Sequence, residues 1–227
     1  MNLDWHKHRG YDPHHISDTG LLLDTRWNHG DWYGASLLAR PPTKWPRRKT
    51  LWITQRILLH TDIDWGNSGP AGTKLGAAGV ADIGNGAGYG SRKPTKATPG
   101  MSGRWRIRQR SGPPQLGIYF YHLGQSRPDG YGDIWWFDRH YQPGLAYTFH
   151  LGIKLGSRYR PYGSIRVFES HHGGGHSKVA DIRRIGWNMP LDPDLWVNAW
   201  RNPHRWPDAA GSITNITRIS LEHPIYS

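Results

Sequence analysis

Between Met101 and Tyr121 the chain alternates with a period of two on both sides of a tight turn, and this constrains the fold more than any other feature. The first half reads Met101-Ser-Gly-Arg-Trp-Arg-Ile-Arg-Gln-Arg110, the turn is Gly112-Pro113-Pro114, and the second half is Gly117-Ile-Tyr-Phe-Tyr121. Successive side chains of a strand point to opposite faces, so a period of two predicts two strands. Ser102, Arg104, Arg106, Arg108 and Arg110 then share one face, and Trp105 and Ile107 share the other. On the second strand Tyr119 and Tyr121 share a face, with Ile118 and Phe120 opposite. Paired as a hairpin, the strands present guanidiniums beside two phenols, backed by an apolar layer. Such a surface can hold a polyanion, and its phenols can move protons.

The rest of the chain favours an anionic partner and a β architecture. A formal net charge of +12 over 227 residues is too basic to be neutral background. Trp (13) and Tyr (11) are abundant and offer flat apolar faces with a polar edge, on which sugar rings and bases both stack. With no cysteine, disulfides, thiolate chemistry and cysteine metal sites are excluded. No run approaches the ~18 apolar residues of a membrane span, so no membrane partner is expected. The polar start of the chain does not read as a signal peptide. A secreted or extracellular location is the expectation, with a leader absent from this chain.

Gly (29) and Pro (17) punctuate the sequence, and long helical periodicity is missing. Candidate strands are Thr50–Thr61, Gly103–Arg110, Leu116–His122, Asp133–Phe137, Ala146–Leu155, Ser164–Glu169, Val179–Gly186 and Ile213–His223. Many short strands separated by turns predict an all-β fold, a β-jelly roll or two-sheet antiparallel β-sandwich with long loops and a concave basic groove. One domain, 1–227, is expected. Residues 1–45 read as an N-terminal extension with first strands, 66–100 as a long surface loop, and 191–207 as an irregular crossover.

The order of short motifs then resembles a known family. Asp62-Ile-Asp-Trp65, Gly72-Thr-Lys-Leu75, Ser102-x-Arg104 and Tyr119-x-Tyr121 follow one another. Tyr131-Gly132, Gln142-Pro143-Gly144 and Gly163-Ser-Ile-Arg-Val-Phe168 come after them. This succession, over roughly Thr50 to Ser170, resembles polysaccharide lyase family 14 and its jelly-roll relatives, the alginate and glucuronan lyases. It departs from the family at Gly76-Ala-Ala-Gly79, where a Pro-Gly is usual, and at Glu169-Ser170, where Asp-Gly is usual. The resemblance implies a polysaccharide lyase acting by β-elimination on an anionic, uronate-containing glycan. It also implies catalytic roles for Lys74, Tyr119 and Tyr121, and substrate binding by Ser102 and Arg104.

The chemistry explains why such residues are needed. A uronan lyase removes the C5 proton beside a carboxylate and expels the C4 oxygen. The carboxylate must be neutralised, and the charge of the enolate-like intermediate held. A base takes the proton and an acid protonates the leaving oxygen. A tyrosine serves as base once neighbouring cations lower its ordinary pKa of ~10. Arg104, with a fork matching two oxygens, is expected to anchor the carboxylate, with Ser102 orienting it. Arg106 and Arg108 are expected to bind neighbouring uronates. His150 and Lys154 share a face of the 146–155 strand and are expected to line the same groove.

Other readings compete. The aromatics and charge also suit a non-catalytic module for acidic glycans, or a single-stranded nucleic-acid binder, although no nucleic-acid partner is expected. Asp133, Asp138 and Glu169 are carboxylates available for glycoside hydrolysis, but their spacing gives it no particular support. Fourteen histidines cluster at His6/His8, His14/His15 and His171-His172-Gly-Gly-Gly-His176. No cofactor is expected, and a structural metal at the last cluster is left as an alternative. The protein is expected to be a monomer.

Overall fold

The computed structural model describes residues 4–9, 14–17, 20–24, 36–40, 50–59, 73–81, 100–108, 112–122, 124–125, 132–154, 162–171, 174–186, 195–202 and 212–220. Side-chain detail belongs to 50–57, 105–108, 112–122, 124–125, 132–154, 162–171 and 174–186.

Every regular element among the described residues is a strand. They run β1 (Asp4–Arg9), β2 (His14–Ser17), β3 (Gly20–Asp24), β4 (Ser36–Arg40), β5 (Thr50–Leu59), β6 (Thr73–Ala81) and β7 (Gly100–Arg108). Then come β8 (Gln115–Tyr121), β9 (Asp133–His140), β10 (Ala146–Lys154), β11 (Gly163–Ser170), β12 (His176–Ile185), β13 (Leu195–Asn202) and β14 (Ser212–Ser220). They form two seven-stranded antiparallel sheets. The first has the order β1-β4-β13-β6-β7-β8-β9, and the second β12-β11-β10-β5-β14-β3-β2. This is the expected jelly-roll sandwich, and each of the eight expected strands is present within a few residues of its expected ends.

Alternation explains why the sheets face one another. Trp105 and Ile107 on β7, Leu116, Ile118 and Phe120 on β8, and Phe137 on β9 are all buried. From the second sheet come Leu51, Ile53 and Ile57 on β5 and Phe149, Leu151 and Ile153 on β10. Trp105 sits at the seam. Its ring lies 5.0 Å from Phe149 and 6.1 Å from Phe137, and its indole N–H donates to Gln55 Oε1 at 2.6 Å. A buried indole needs an acceptor, and Gln55, itself buried on β5, supplies it.

Two segments differ from expectation. The 66–100 segment carries β6, and 191–207 carries β13, and the two strands pair with each other. β6 also pairs with β7, from Thr73 opposite Ile107 to Ala81 opposite Gly100. Small residues such as Gly76-Ala-Ala-Gly79 have little alternation to read, yet β6 pairs by its backbone on both sides, with a bulge between Gly76 and Ala78 against β7.

The turn between β7 and β8 is fixed by glycine and by contacts to β9. Gly112 adopts φ +78°, in the left-handed region. The Tyr141 N–H, just past β9, donates to the Pro114 carbonyl at 2.7 Å, so the hairpin is held against the end of β9.

Candidate active site

The site is built on three neighbouring strands, β6, β7 and β8. In the β7–β8 ladder Ser102 stands opposite Tyr121, Arg104 opposite Tyr119 and Arg106 opposite Gly117. In the β6–β7 ladder Lys74 stands opposite Arg106. Directly opposed residues of a ladder occupy the same face. The positions of Lys74, Ser102, Arg104, Arg106, Tyr119 and Tyr121 therefore belong to one face, the one turned away from Trp105 and the core. The side chains of Lys74, Ser102 and Arg104 lie outside the described residues.

Tyr119 and Tyr121 are buried side by side. Their rings meet edge to face at 5.1 Å between centroids, and the Tyr119 hydroxyl donates to the Tyr121 hydroxyl at 2.6 Å. The Gly132 N–H donates to the Tyr119 oxygen at 2.8 Å. Tyr119 thus accepts an N–H and passes its own hydrogen to Tyr121. The Arg106 guanidinium lies 5.2 Å from the centroid of the Tyr119 ring, and Arg106 is buried at 8% exposure. A desolvated cation over an aromatic face is worth up to about 2 kcal/mol. It also places positive charge beside any negative charge that develops on the phenol.

Glycine opens room for the next layer of this face. A Cβ at Gly117 would come within 2.7 Å of both the Trp135 carbonyl oxygen and the Trp136 ring. Trp136, opposite Gly117 on β9, can therefore lie close against the strand. The Arg108 guanidinium stacks on Trp136 at 4.1 Å and donates from Nε and Nη2 to Gln115 Oε1 at 2.9 and 2.7 Å. Arg108 is held as a fixed cation at the edge of this face.

His150 and Lys154 are not brought to this site. They sit on β10, in the second sheet, on the face turned away from the first. Phe149, Leu151 and Ile153 take the inward positions of β10, and Phe149 meets Trp105, so the alternate positions face outward. The shared-groove expectation is corrected on this ground. His150 belongs to a separate network. Its Nδ1 pairs with Thr54 Oγ1 at 2.9 Å and its Nε2 with Ser170 Oγ at 2.7 Å, and that hydroxyl meets His176 Nδ1 at 3.0 Å.

Two of the three carboxylates of the hydrolase reading are engaged in separate pairs. Asp133 Oδ2 bonds His122 Nε2 at 2.9 Å, and Glu169 Oε2 meets Arg139 at 3.0 Å and the Tyr141 hydroxyl at 3.2 Å. Asp138 is exposed on β9. Among the described residues no group of three or more His, Cys, Asp or Glu is arranged to hold a metal ion. His6, His8, His14, His15, His60 and His172 fall outside the residues whose side chains are described. No helix among the described residues is long and apolar enough to cross a membrane.

Sequence reasoning missed the Gly132 N–H, and it placed guanidiniums beside the two phenols without singling out Arg106 as the one over Tyr119. The first had one available signal, the Tyr131-Gly132 pair at its place in the motif order. The second follows from a register that is visible only once the hairpin is paired.

Solved structures similar to this fold include alginate lyases. A PL-14 alginate lyase from Aplysia kurodai superposes with a TM-score of 0.65 at 12% identity, over 88% of this chain and 82% of that one. An alginate lyase from Chlorella virus gives 0.62 at 15% identity, over 91% and 88%. The alginate lyase Aly36B, solved as a variant with alginate tetrasaccharide bound, gives 0.59 at 18% identity, over 92% and 85%. The chain therefore has the jelly-roll fold of the alginate lyases. No protein-family model matches it, and no curated protein matches its sequence.

Proposed function

We propose that this protein is a polysaccharide lyase that cleaves an anionic, uronate-containing glycan by β-elimination. The observation that carries the reading is the Tyr119–Tyr121 phenol pair, hydrogen-bonded at 2.6 Å on the strand opposite Ser102 and Arg104. β-Elimination needs a group that takes the C5 proton and one that protonates the C4 oxygen as the C4–O bond breaks and the C4=C5 bond forms. Two hydroxyls in direct contact satisfy both needs as a relay. The Gly132 N–H and the Arg106 charge support a negative Tyr119 oxygen.

Arg104 and Ser102 hold the carboxylate of the reacting uronate, which makes the C5 proton removable. Lys74, across the ladder from Arg106, neutralises that carboxylate or shares the base role. Arg108, fixed on Trp136, meets a neighbouring uronate. Burial of the phenols keeps water from competing for the proton and strengthens the electrostatics. The fold shared with alginate lyases supports the same chemistry, and alginate and glucuronan are the first substrates to test.

The test is a panel of alginate, glucuronan, pectate and glycosaminoglycans, followed by the ultraviolet absorbance of the unsaturated uronate product. The lyase reading expects absorbance to rise with at least one uronan. New reducing ends without that absorbance would mean hydrolysis instead. Tight binding with no new ends would mean a binding module.

A further inference from the structure

The oxygen of Tyr119 is held by the backbone of a different segment. Gly132, immediately before β9, is buried and gives its N–H to that oxygen at 2.8 Å. Its neighbour Asp133 is tied back to the end of β8 through His122, at 2.9 Å. His122 is itself fixed. Its N–H donates to Gln125 Oε1 at 3.1 Å, and the Gln125 N–H donates to the His122 carbonyl at 3.2 Å. His122 also packs its ring 5.9 Å from Trp135 on β9. The end of β8 and the start of β9 are thus clasped twice, by an imidazole–carboxylate bond and by an N–H to a phenol.

The clasp has no room for a larger residue. A Cβ on Gly132 would overlap the Phe120 carbonyl oxygen and lie 3.2 Å from the Tyr119 ring. Glycine is therefore required for the backbone to approach the phenol closely enough to donate.

We propose that this clasp sets the direction of proton transfer in the tyrosine pair, with Gly132 and Asp133 as positioning residues; the inference rests on the lyase reading above. A hydroxyl hydrogen rotates to suit its surroundings. With the Gly132 N–H pointed at it, the Tyr119 oxygen is committed as an acceptor on that side, and its own hydrogen goes to Tyr121. As Tyr119 passes that hydrogen to Tyr121, Tyr121 gives its own to the departing C4 oxygen and the Tyr119 oxygen takes the C5 proton, while the same N–H stabilises the negative charge that develops on it. Asp133 acts through its chain neighbour. By anchoring the start of β9 to His122, it keeps the Gly132 N–H aimed.

The experiment compares Asp133→Ala, Asp133→Asn and Gly132→Ala with the wild-type chain, on whichever uronan of the panel is turned over fastest. The Asp133 side chain is 25% exposed, so its truncation leaves the fold in place, which circular dichroism and the melting temperature verify. Asp133→Ala is expected to lower kcat about tenfold or more, with KM within about twofold, as loss of part of a proton-transfer step requires. Asp133→Asn keeps an oxygen for the imidazole N–H and is expected to recover most of that kcat. Gly132→Ala is expected to lose both stability and turnover. A merely structural role would lower the melting temperature of Asp133→Ala and leave the kcat of the folded protein alone, and that result overturns the proposal. So does a rise in KM at unchanged kcat. A wild-type chain inactive on every uronan overturns the lyase reading itself, and the clasp's role with it, before any variant is made.

Discussion

Two tyrosine pairs in this protein have nearly the same ring geometry and opposite hydroxyl environments. Tyr119 and Tyr121 meet edge to face at 5.1 Å and 82°, and Tyr141 and Tyr147 at 4.8 Å and 88°. Stacking energy therefore does not distinguish them. The Tyr141 hydroxyl donates to the buried Glu169 carboxylate, which also meets Arg139. A carboxylate neighbour pins a phenol proton in place. The Tyr119 hydroxyl faces an N–H donor and a second phenol, with a guanidinium over its ring. These neighbours are an N–H, a hydroxyl and a cation, none of them a carboxylate. In the proposed lyase, the polarity of the groups around the oxygen is what distinguishes the reacting phenol from the structural one.

The largest expected effect breaks the comparison directly. Tyr119→Phe and Tyr121→Phe are each expected to lower kcat on a uronan by about 10²- to 10⁴-fold, the usual worth of a positioned acid–base group. Tyr141→Phe is expected to leave kcat within about twofold, because its oxygen faces a structural ion pair. Steady-state rates from product absorbance decide it. Equal losses at all three positions would show that the two environments do not differ in function.

A smaller effect sharpens it at the cations. Arg106→Gln removes the charge over Tyr119 and is expected to lower kcat/KM by about tenfold, a loss near 1.4 kcal/mol. Arg139→Gln removes the cation beside Glu169 and is expected to leave kcat/KM unchanged while lowering the melting temperature. The Arg139 side chain is 42% exposed, so solvent screens much of that pair and the shift should be small.

How much of this was legible in the sequence depended on whether the signal lay in side chains or in backbone. The hairpin was legible because Trp105, Ile107, Ile118 and Phe120 alternate strictly against Arg106, Tyr119 and Tyr121, and a buried face enforces that register. β6 and β13 were not, because Gly76-Ala-Ala-Gly79 and its Trp- and Asn-rich partner strand carry no such alternation. For His150 and Lys154, parity gave the right partnership on β10 but could not say which sheet β10 joins. Pairing with β5 and β11 decides that, and the pattern along β10 announces neither partner. The Gly132 donor had no side chain to announce it. Its effect on Tyr119 exists only once β9 has folded back along β8.

The smallest effect tests the other half of the comparison, the pinned proton of Tyr141. Burial first, and then the Glu169 carboxylate, push its pKa above the ordinary tyrosine value of 10.0. A folded-state pKa above the unfolded one gives a contribution to stability that is complete below the unfolded value. It is lost as pH rises from there toward the folded pKa, because only the unfolded chain releases the proton. At pH 7, Tyr141→Phe is expected to cost about 1 kcal/mol, the net worth of one hydrogen bond, with Glu169 still held by Arg139. Above about pH 10 the wild type should lose stability relative to the variant, by about 1.4 kcal/mol for each further pH unit. Denaturant unfolding of the two proteins across that range should show their stabilities converging and then crossing. A gap that stayed constant with pH would mean that Tyr141 titrates alike in the folded and unfolded chains, and its carboxylate neighbour would no longer explain why this pair differs from Tyr119 and Tyr121.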